Sequence, residues 1–258
     1  GVGALLILLP WRQDLTALSL AWGAGTLLGA LLAVDAESVR ALGSGRSAAS
    51  RTRQALFALR SAGALCLTAL AARVDVLLLG ILGTLSDVGV YSVAVGASQI
   101  VWLAGEAISV AVYGRLGRSS MAEARRLTVR IIRLTVAVTA AQCVLLAAPA
   151  NPVVTFLFGD EYVDAARYLQ ILLLGSVVYC IIWPISAYFI NARGTPGVVL
   201  TIAGPNLAVC LGACLLLIPA YGATGAALGS SLGYAAGGLL GAARLMRDGR
   251  RLQAETAT

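Results

Sequence analysis

The stretch VGVYSVAVGASQIVWLAGEAISVAV, residues 88–112, followed at once by YGRLGRSSMAEARRLTVRIIR, residues 113–133, decides how this chain folds. The first segment is predominantly apolar and holds a single charge, Glu106. About 20 such residues, rising 1.5 Å each, cross a bilayer core as a helix. The second segment holds Arg115, Arg118, Arg125, Arg126, Arg130 and Arg133. Outward in both directions the alternation repeats. Apolar spans are expected at about 15–34, 59–82, 88–112, 128–149, 166–190, 198–218 and 223–243. Every second connector is rich in arginine. Residues 35–60 carry Arg40, Arg46, Arg51, Arg53 and Arg60, the turn 191–197 carries Arg193, and the tail carries Arg244, Arg247, Arg250 and Arg251. Sixteen of the nineteen basic residues, all of them arginine, thus fall on one side. Basic residues are retained on the cytoplasmic side of membrane proteins. That side should therefore hold the C-terminus, in the cell inner (cytoplasmic) membrane, with 10–14, 83–87, 150–166 and 219–223 facing out.

Composition agrees. A hydrophobic fraction of 59% with 12% charged residues, and a mean hydropathy of +0.87, lie outside the range of ordinary soluble domains. The expected fold class is all-α, a polytopic transmembrane helical bundle. Barrel strands would alternate over roughly 10 residues, and no such alternation occurs. The net charge of +7 is spread along membrane-edge loops, which points to membrane lipids as partners and not to nucleic acid. Cys66, Cys143, Cys180, Cys210 and Cys214 sit within apolar runs without metal-ligand spacing, and the chain has no His. No metal, no cofactor and no catalytic residue is expected, and an enzyme is not the reading. A triad has no imidazole here, and no Walker glycine loop with its lysine is present.

Three charges fall inside apolar spans: Arg73, Asp75 and Glu106. A charge at a helix centre costs about 2.5–3.5 kcal/mol on insertion scales, so each should face a neighbouring helix or a water-filled cavity. Arg73 and Asp75 point to nearly opposite faces of one helix and cannot simply pair. Counted along the helix from the outer connectors, Asp75 lies about 12 Å and Glu106 about 27 Å in. The three read as polar cavity positions at different levels, with structural bridging as the alternative. Pro184 and Pro205-Asn206 interrupt two further spans as kinks or hinges. Tyr91 and Tyr113, near span ends, are expected at the membrane interface. Trp102 and Trp183 are either interface anchors or cavity lining. Gly225, Gly229, Gly233, Gly237 and Gly241 recur every fourth residue, a smooth stripe suited to tight helix packing within the bundle.

Three strings carry a resemblance: Arg73-Val74-Asp75-Val76-Leu77-Leu78-Leu79-Gly80 with Asp87-Val88-Gly89-Val90-Tyr91-Ser92-Val93-Ala94; Leu157-Phe158-Gly159-Asp160-Glu161-Tyr162 with Ala165-Ala166; and Ile218-Pro219-Ala220-Tyr221-Gly222-Ala223-Thr224-Gly225-Ala226-Ala227. In this order and at these topological places they resemble the polysaccharide and O-antigen flippases of the multidrug/oligosaccharidyl-lipid/polysaccharide exporter superfamily. The resemblance implies a MATE-like architecture of two six-helix lobes around a central cavity opened alternately to each side. Residues 1–34 would be the last helices of a truncated N-terminal lobe. Residues 35–57 would be a basic cytoplasmic linker, 58–243 the six-helix C-terminal lobe and 244–258 a basic cytoplasmic tail. Gly1–Leu9 reads as a severed span, so roughly four more spans are expected upstream. The implied function is translocation of lipid-linked oligosaccharide or polysaccharide precursors for cell-surface polysaccharide (lipopolysaccharide) biosynthesis, with polysaccharide-assembly proteins as further partners. Arg73, Asp75 and Glu106 match the family's charged cavity by type and place. Arginine suits pyrophosphate, making Arg73 the expected head-group contact. The alternatives are a cation-coupled drug exporter or lipid II flippase of the same fold, using Asp75 and Glu106 as ion sites, and a non-transporting scaffold for polysaccharide assembly.

Overall fold

A computed structural model describes residues 48–257. The chain divides into two units, Gly1–Leu56 and Phe57–Thr258, and the bundle described below belongs to the second. The span expected at 15–34, Gly23, Gly25, Gly29, Arg40 and Arg46 lie outside the described residues.

The elements, in chain order, are α1 (Ala48–Ala71), α2 (Val74–Leu82), α3 (Leu85–Ala111), α4 (Tyr113–Arg118), α5 (Met121–Ala147), α6 (Ala150–Phe158), a 3-10 turn (Asp160–Tyr162), α7 (Val163–Tyr179), α8 (Ile182–Ala187) with a π-helical turn (Tyr188–Ala192), and the long stretch Gly197–Ala257. No strand occurs among the described residues. Four helical stretches are long and apolar enough to cross a membrane, and α1–α2, bent by 41°, make a fifth. The last stretch cannot be one rod, because 61 residues would span about 92 Å, about three bilayer cores. It turns back at Gly222, whose φ of 55° and ψ of −133° leave the helical region in a conformation open to glycine and few others. Two helices result, α9 (197–221) and α10 (223–257). With that hairpin divided, the described residues offer up to six apolar stretches able to cross a membrane, and the bundle is membrane-embedded.

The glycine stripe explains how α9 and α10 pair. A methyl group added at Gly229 would sit 2.6 Å from Cys214 Sγ, one at Gly233 2.6 Å from Cys210 Cβ, and one at Gly237 3.2 Å from Asn206; at Gly225 it would strike the Leu217 carbonyl. As residue numbers rise on α10 they fall on α9, so the helices are antiparallel with backbones nearly in contact. Lipid gives no hydrophobic drive for helix association, so close van der Waals contact takes its place. The expected intramolecular role of the stripe is what the structure displays. α7 approaches α10 from another side: a methyl at Gly175 would lie 2.7 Å from Ser231 Cα, and Ser231 Oγ donates to the Ile171 carbonyl at 2.8 Å. α7 is the central helix, touching α3, α5 and α10. Outward, Leu134, Val144, Leu145, Leu174 and Leu216 are exposed, a surface suited to lipid and far too apolar for water.

Several boundaries differ from expectation. α1 begins at Ala48, inside the stretch read as linker, and α10 continues to Ala257, so the basic tail is helical. The arginine-rich connector narrows to Val112 and Ser119–Ser120: Arg115 and Arg118 lie on α4, while Arg125 and Arg126 already belong to α5. α3 starts at Leu85 because Thr84 and Asp87 form a capping box, Thr84 Oγ1 accepting from the Asp87 amide at 3.2 Å and Asp87 Oδ2 from the Thr84 amide at 3.3 Å.

Candidate functional site

The span expected to run unbroken over 59–82 breaks at Ala72-Arg73. The Arg73 amide bonds back only three residues, to the Leu70 carbonyl at 3.1 Å, and Arg73 then sits at φ −136°, ψ −10° as the residue that starts α2. This break places Asp75 in the first turn of a new helix, where the positive end of the helix dipole favours a carboxylate. Asp75 is fully buried. Its Oδ2 accepts from Tyr91 Oη at 2.6 Å and from Ser230 Oγ at 2.7 Å, and its Oδ1 from the Val76 amide at 2.8 Å. Donors from α2, α3 and α10 therefore converge on one carboxylate, and no cation among the described residues forms an ion pair with it. Three donors satisfy much of the hydrogen-bonding capacity of this buried side chain.

Tyr91 corrects the sequence reading. It is not an interface anchor; it is fully buried, drawn inward because its hydroxyl caps Asp75 and its ring packs on Tyr168 at 6.1 Å. Tyr113 lies near the end of its span as expected, 37% exposed, and also lines the cavity described below.

Arg73 points the other way, as its two-residue offset from Asp75 requires. It is exposed, and its guanidinium donates to Gln99 Oε1 at 3.2 Å. Glu106, two turns beyond Gln99 on α3, is exposed too. Ser92, Gly96, Leu103 and Glu106 lie along this outer side of α3, with Gln99 half-buried among them. Arg73 and Gln99 meet across α2 and α3, whereas Asp75 is sealed from that face, so the structure separates the three predicted charges into two environments.

A cavity of about 310 Å³ occupies the arginine-rich half of the bundle, bounded by α1, α3, α8, α9 and α10. It reaches from Tyr113 and Ile190 inward to Trp102, Tyr179 and Asn206, about 16 Å along the helices. None of Arg73, Asp75 or Glu106 lines it. Its deep end is an aromatic cluster: Trp102, Tyr179 and Tyr234 stand in mutual contact at centroid distances of 5.0–5.3 Å, and Trp102 Nε1 donates to Ser176 Oγ at 3.1 Å. Tyr234 follows Ser230 by one turn of α10. One turn, about 6 Å, thus separates the donor to Asp75 from a ring that packs behind the cavity-lining Trp102 and Tyr179. Ser61 Oγ, Trp183 Nε1 and Asn206 Oδ1 are buried without a partner, and all three residues line this cavity. A polar guest or ordered water would satisfy them.

Of the predicted kinks, Pro184 coincides with a real break. Proline offers no amide to the Cys180 carbonyl four residues back, and the helix opens at Cys180-Ile181 before resuming as α8. Pro205 does not break α9: the only non-helical dihedrals within Gly197–Ala257 are those of Gly222. Asn206, beside it, is buried against Gly237 and faces the cavity. Ser230, Tyr234 and Tyr179 carry no local sequence signal and were not anticipated as part of a site.

No family model, curated protein or solved structure matches the chain. What the site does must be argued from its chemistry.

Proposed function

We propose that this bundle is a lobe of a transporter that moves lipid-linked oligosaccharide or polysaccharide precursors across the cytoplasmic membrane by alternating access, with the C-terminus on the cytoplasmic side. The observation that carries the reading is the exposed Arg73–Gln99 pair at membrane depth, with Glu106 further along the same helix. A guanidinium that far from either surface is too costly to leave against lipid. A water-filled path along this face resolves the cost and serves a substrate whose anionic pyrophosphate and polar sugars cannot enter hydrocarbon alone. Arg73 offers a planar fork suited to phosphate oxygens. The aromatic-walled cavity with its unpaired polar atoms supplies space inside the lobe for rearrangement between open states. The sixteen-arginine asymmetry supports the orientation.

The test is glycan export in the host cell, with protein abundance measured alongside. Loss of a charge-assisted contact worth about 1.5–3 kcal/mol lowers export by about 10–100-fold in Arg73→Ala. Arg73→Lys recovers part of it, since an ammonium keeps the charge and loses the fork. Normal export by a stably expressed Arg73→Ala protein removes the head-group role.

A second reading, an ion-coupled exporter of small molecules, is favoured by one observation: Asp75 is a buried carboxylate with three donors and no cationic partner among the described residues. If Asp75 carries the coupling ion, Asp75→Asn abolishes transport while substrate binding persists. Under the first reading Asp75→Asn does less damage than Arg73→Ala.

A further inference from the structure

A second pocket, of about 140 Å³, lies further along α10 toward its C-terminus, where the turn 193–196 enters α9. Phe189 and Val198 form an apolar wall, and Arg244, Arg247, Asp248 and Arg251 line the rest. The antiparallel register that pairs Gly233 with Cys210 puts residues 244–251 level with the start of α9, at the arginine-rich end of the bundle. The positive end of the α9 dipole lies there as well.

The charge balance of this pocket is the informative part. Its one carboxylate is already saturated. Asp248 Oδ1 accepts from the Arg193 guanidinium at 2.6 Å, and Oδ2 from Tyr188 Oη at 2.6 Å. Asp248 is only 8% exposed, so it has little left to offer another cation. On its far side the Arg125 guanidinium lies against Gly249 so closely that a methyl group there would collide with it. Arg244, Arg247 and Arg251 recur at spacings of three and four, which places them on one face of α10. None of the three forms an ion pair with a described residue. Arg244, Arg247 and Arg251 therefore line a small recess with no free anion among the described residues, beside an ion pair that fixes its floor. Leu240, one turn toward the membrane on the same face, is exposed.

We propose that this recess binds a phosphate group, that of an anionic phospholipid, with the head group among Arg244, Arg247 and Arg251 and the acyl chains leaving over Leu240. Basic pockets between helices at a membrane surface take phosphate head groups in this way, and arginine forks fit phosphate oxygens. The site is independent of the Arg73 face and of the transport reading. A free phosphate shares the head group's chemistry but gains nothing from Leu240.

The experiment uses the whole chain in nanodiscs. Phosphatidylglycerol in a phosphatidylcholine background is the lipid probe, with retained lipid counted by native mass spectrometry. Inorganic phosphate is the second probe, read by thermal shift in detergent. Phosphatidylglycerol is retained by the wild type and weakened about fivefold for each arginine removed, and about a hundredfold in Arg244→Ala/Arg247→Ala/Arg251→Ala. Arg130→Ala/Arg133→Ala, on α5, leaves it unchanged. Protection by phosphate alone, lost in the triple variant, supports the site and identifies the free anion as its ligand. Lipid retention identical in the triple variant and wild type overturns the proposal, as does equal loss in the α5 control or no response to either probe. Should the triple variant not fold, Arg247→Glu alone reads the same outcome at an exposed position.

Discussion

Asp75 is where single side chains matter most. Three donors reach it from α2, α3 and α10, so each hydroxyl contributes to both the site and the bundle. Tyr91→Phe removes one donor from a buried carboxylate and should cost about 1–2 kcal/mol, a drop of a few degrees in thermal unfolding. Ser230→Ala should act in the same direction. Combining the two should cost more than their sum, because Asp75 is then left with only the Val76 amide as a donor. A Tyr91→Phe protein that melts like the wild type shows the hydroxyl to be idle. The sequence marked Asp75 and Arg73 as charges out of place, and their two-residue spacing correctly foretold opposite faces. It could not mark Ser230, 155 residues away, since an ordinary serine in an apolar helix has no feature that points to a distant carboxylate. Tyr91 misled for a related reason: position near a span end says how deep a ring lies, not which side of the helix it occupies.

At the scale of elements, glycine decides the α9–α10 hairpin. Gly→Ala inside a helix normally stabilises by about 0.5–1 kcal/mol, and Gly212→Ala, with nothing within 4 Å of the added carbon, should do so. Gly233→Ala and Gly229→Ala should reverse the sign. Their added carbons meet Cys210 and Cys214 at 2.6 Å, and overpacking typically costs about 1–3 kcal/mol. Unfolding in detergent compares the three directly; equal shifts for Gly212→Ala and Gly233→Ala contradict the seam. The stripe and the Pro184 break were readable because a fourfold repeat and a missing amide are local facts. The break at Ala72-Arg73 was not, for no proline or glycine announces it.

For the whole molecule, the alternation of apolar spans with arginine-rich connectors made the helical membrane architecture legible: the described helices lie where hydropathy placed its spans, with shifted ends and with breaks at Ala72-Arg73 and Cys180-Ile181. That is the expected division, since lipid acts on stretches of 20 residues while boundaries follow individual caps such as Thr84. Function is less legible, because a path for substrate depends on which face of each helix is left open. The central claim is that the α3 face bearing Gln99 and Glu106, with Arg73 beside it, meets water inside the membrane. The most direct measurement is cysteine accessibility in a cysteine-free background, with a charged, water-soluble thiol reagent applied to Ser92→Cys, Gln99→Cys and Leu103→Cys, and to the lipid-facing controls Leu134→Cys and Leu174→Cys. The account predicts rapid labelling at the first three positions and none at the controls. Protection of Gln99→Cys and Leu103→Cys equal to that of Leu134→Cys would contradict it, leaving Arg73 as a structural bridge and the bundle without a path.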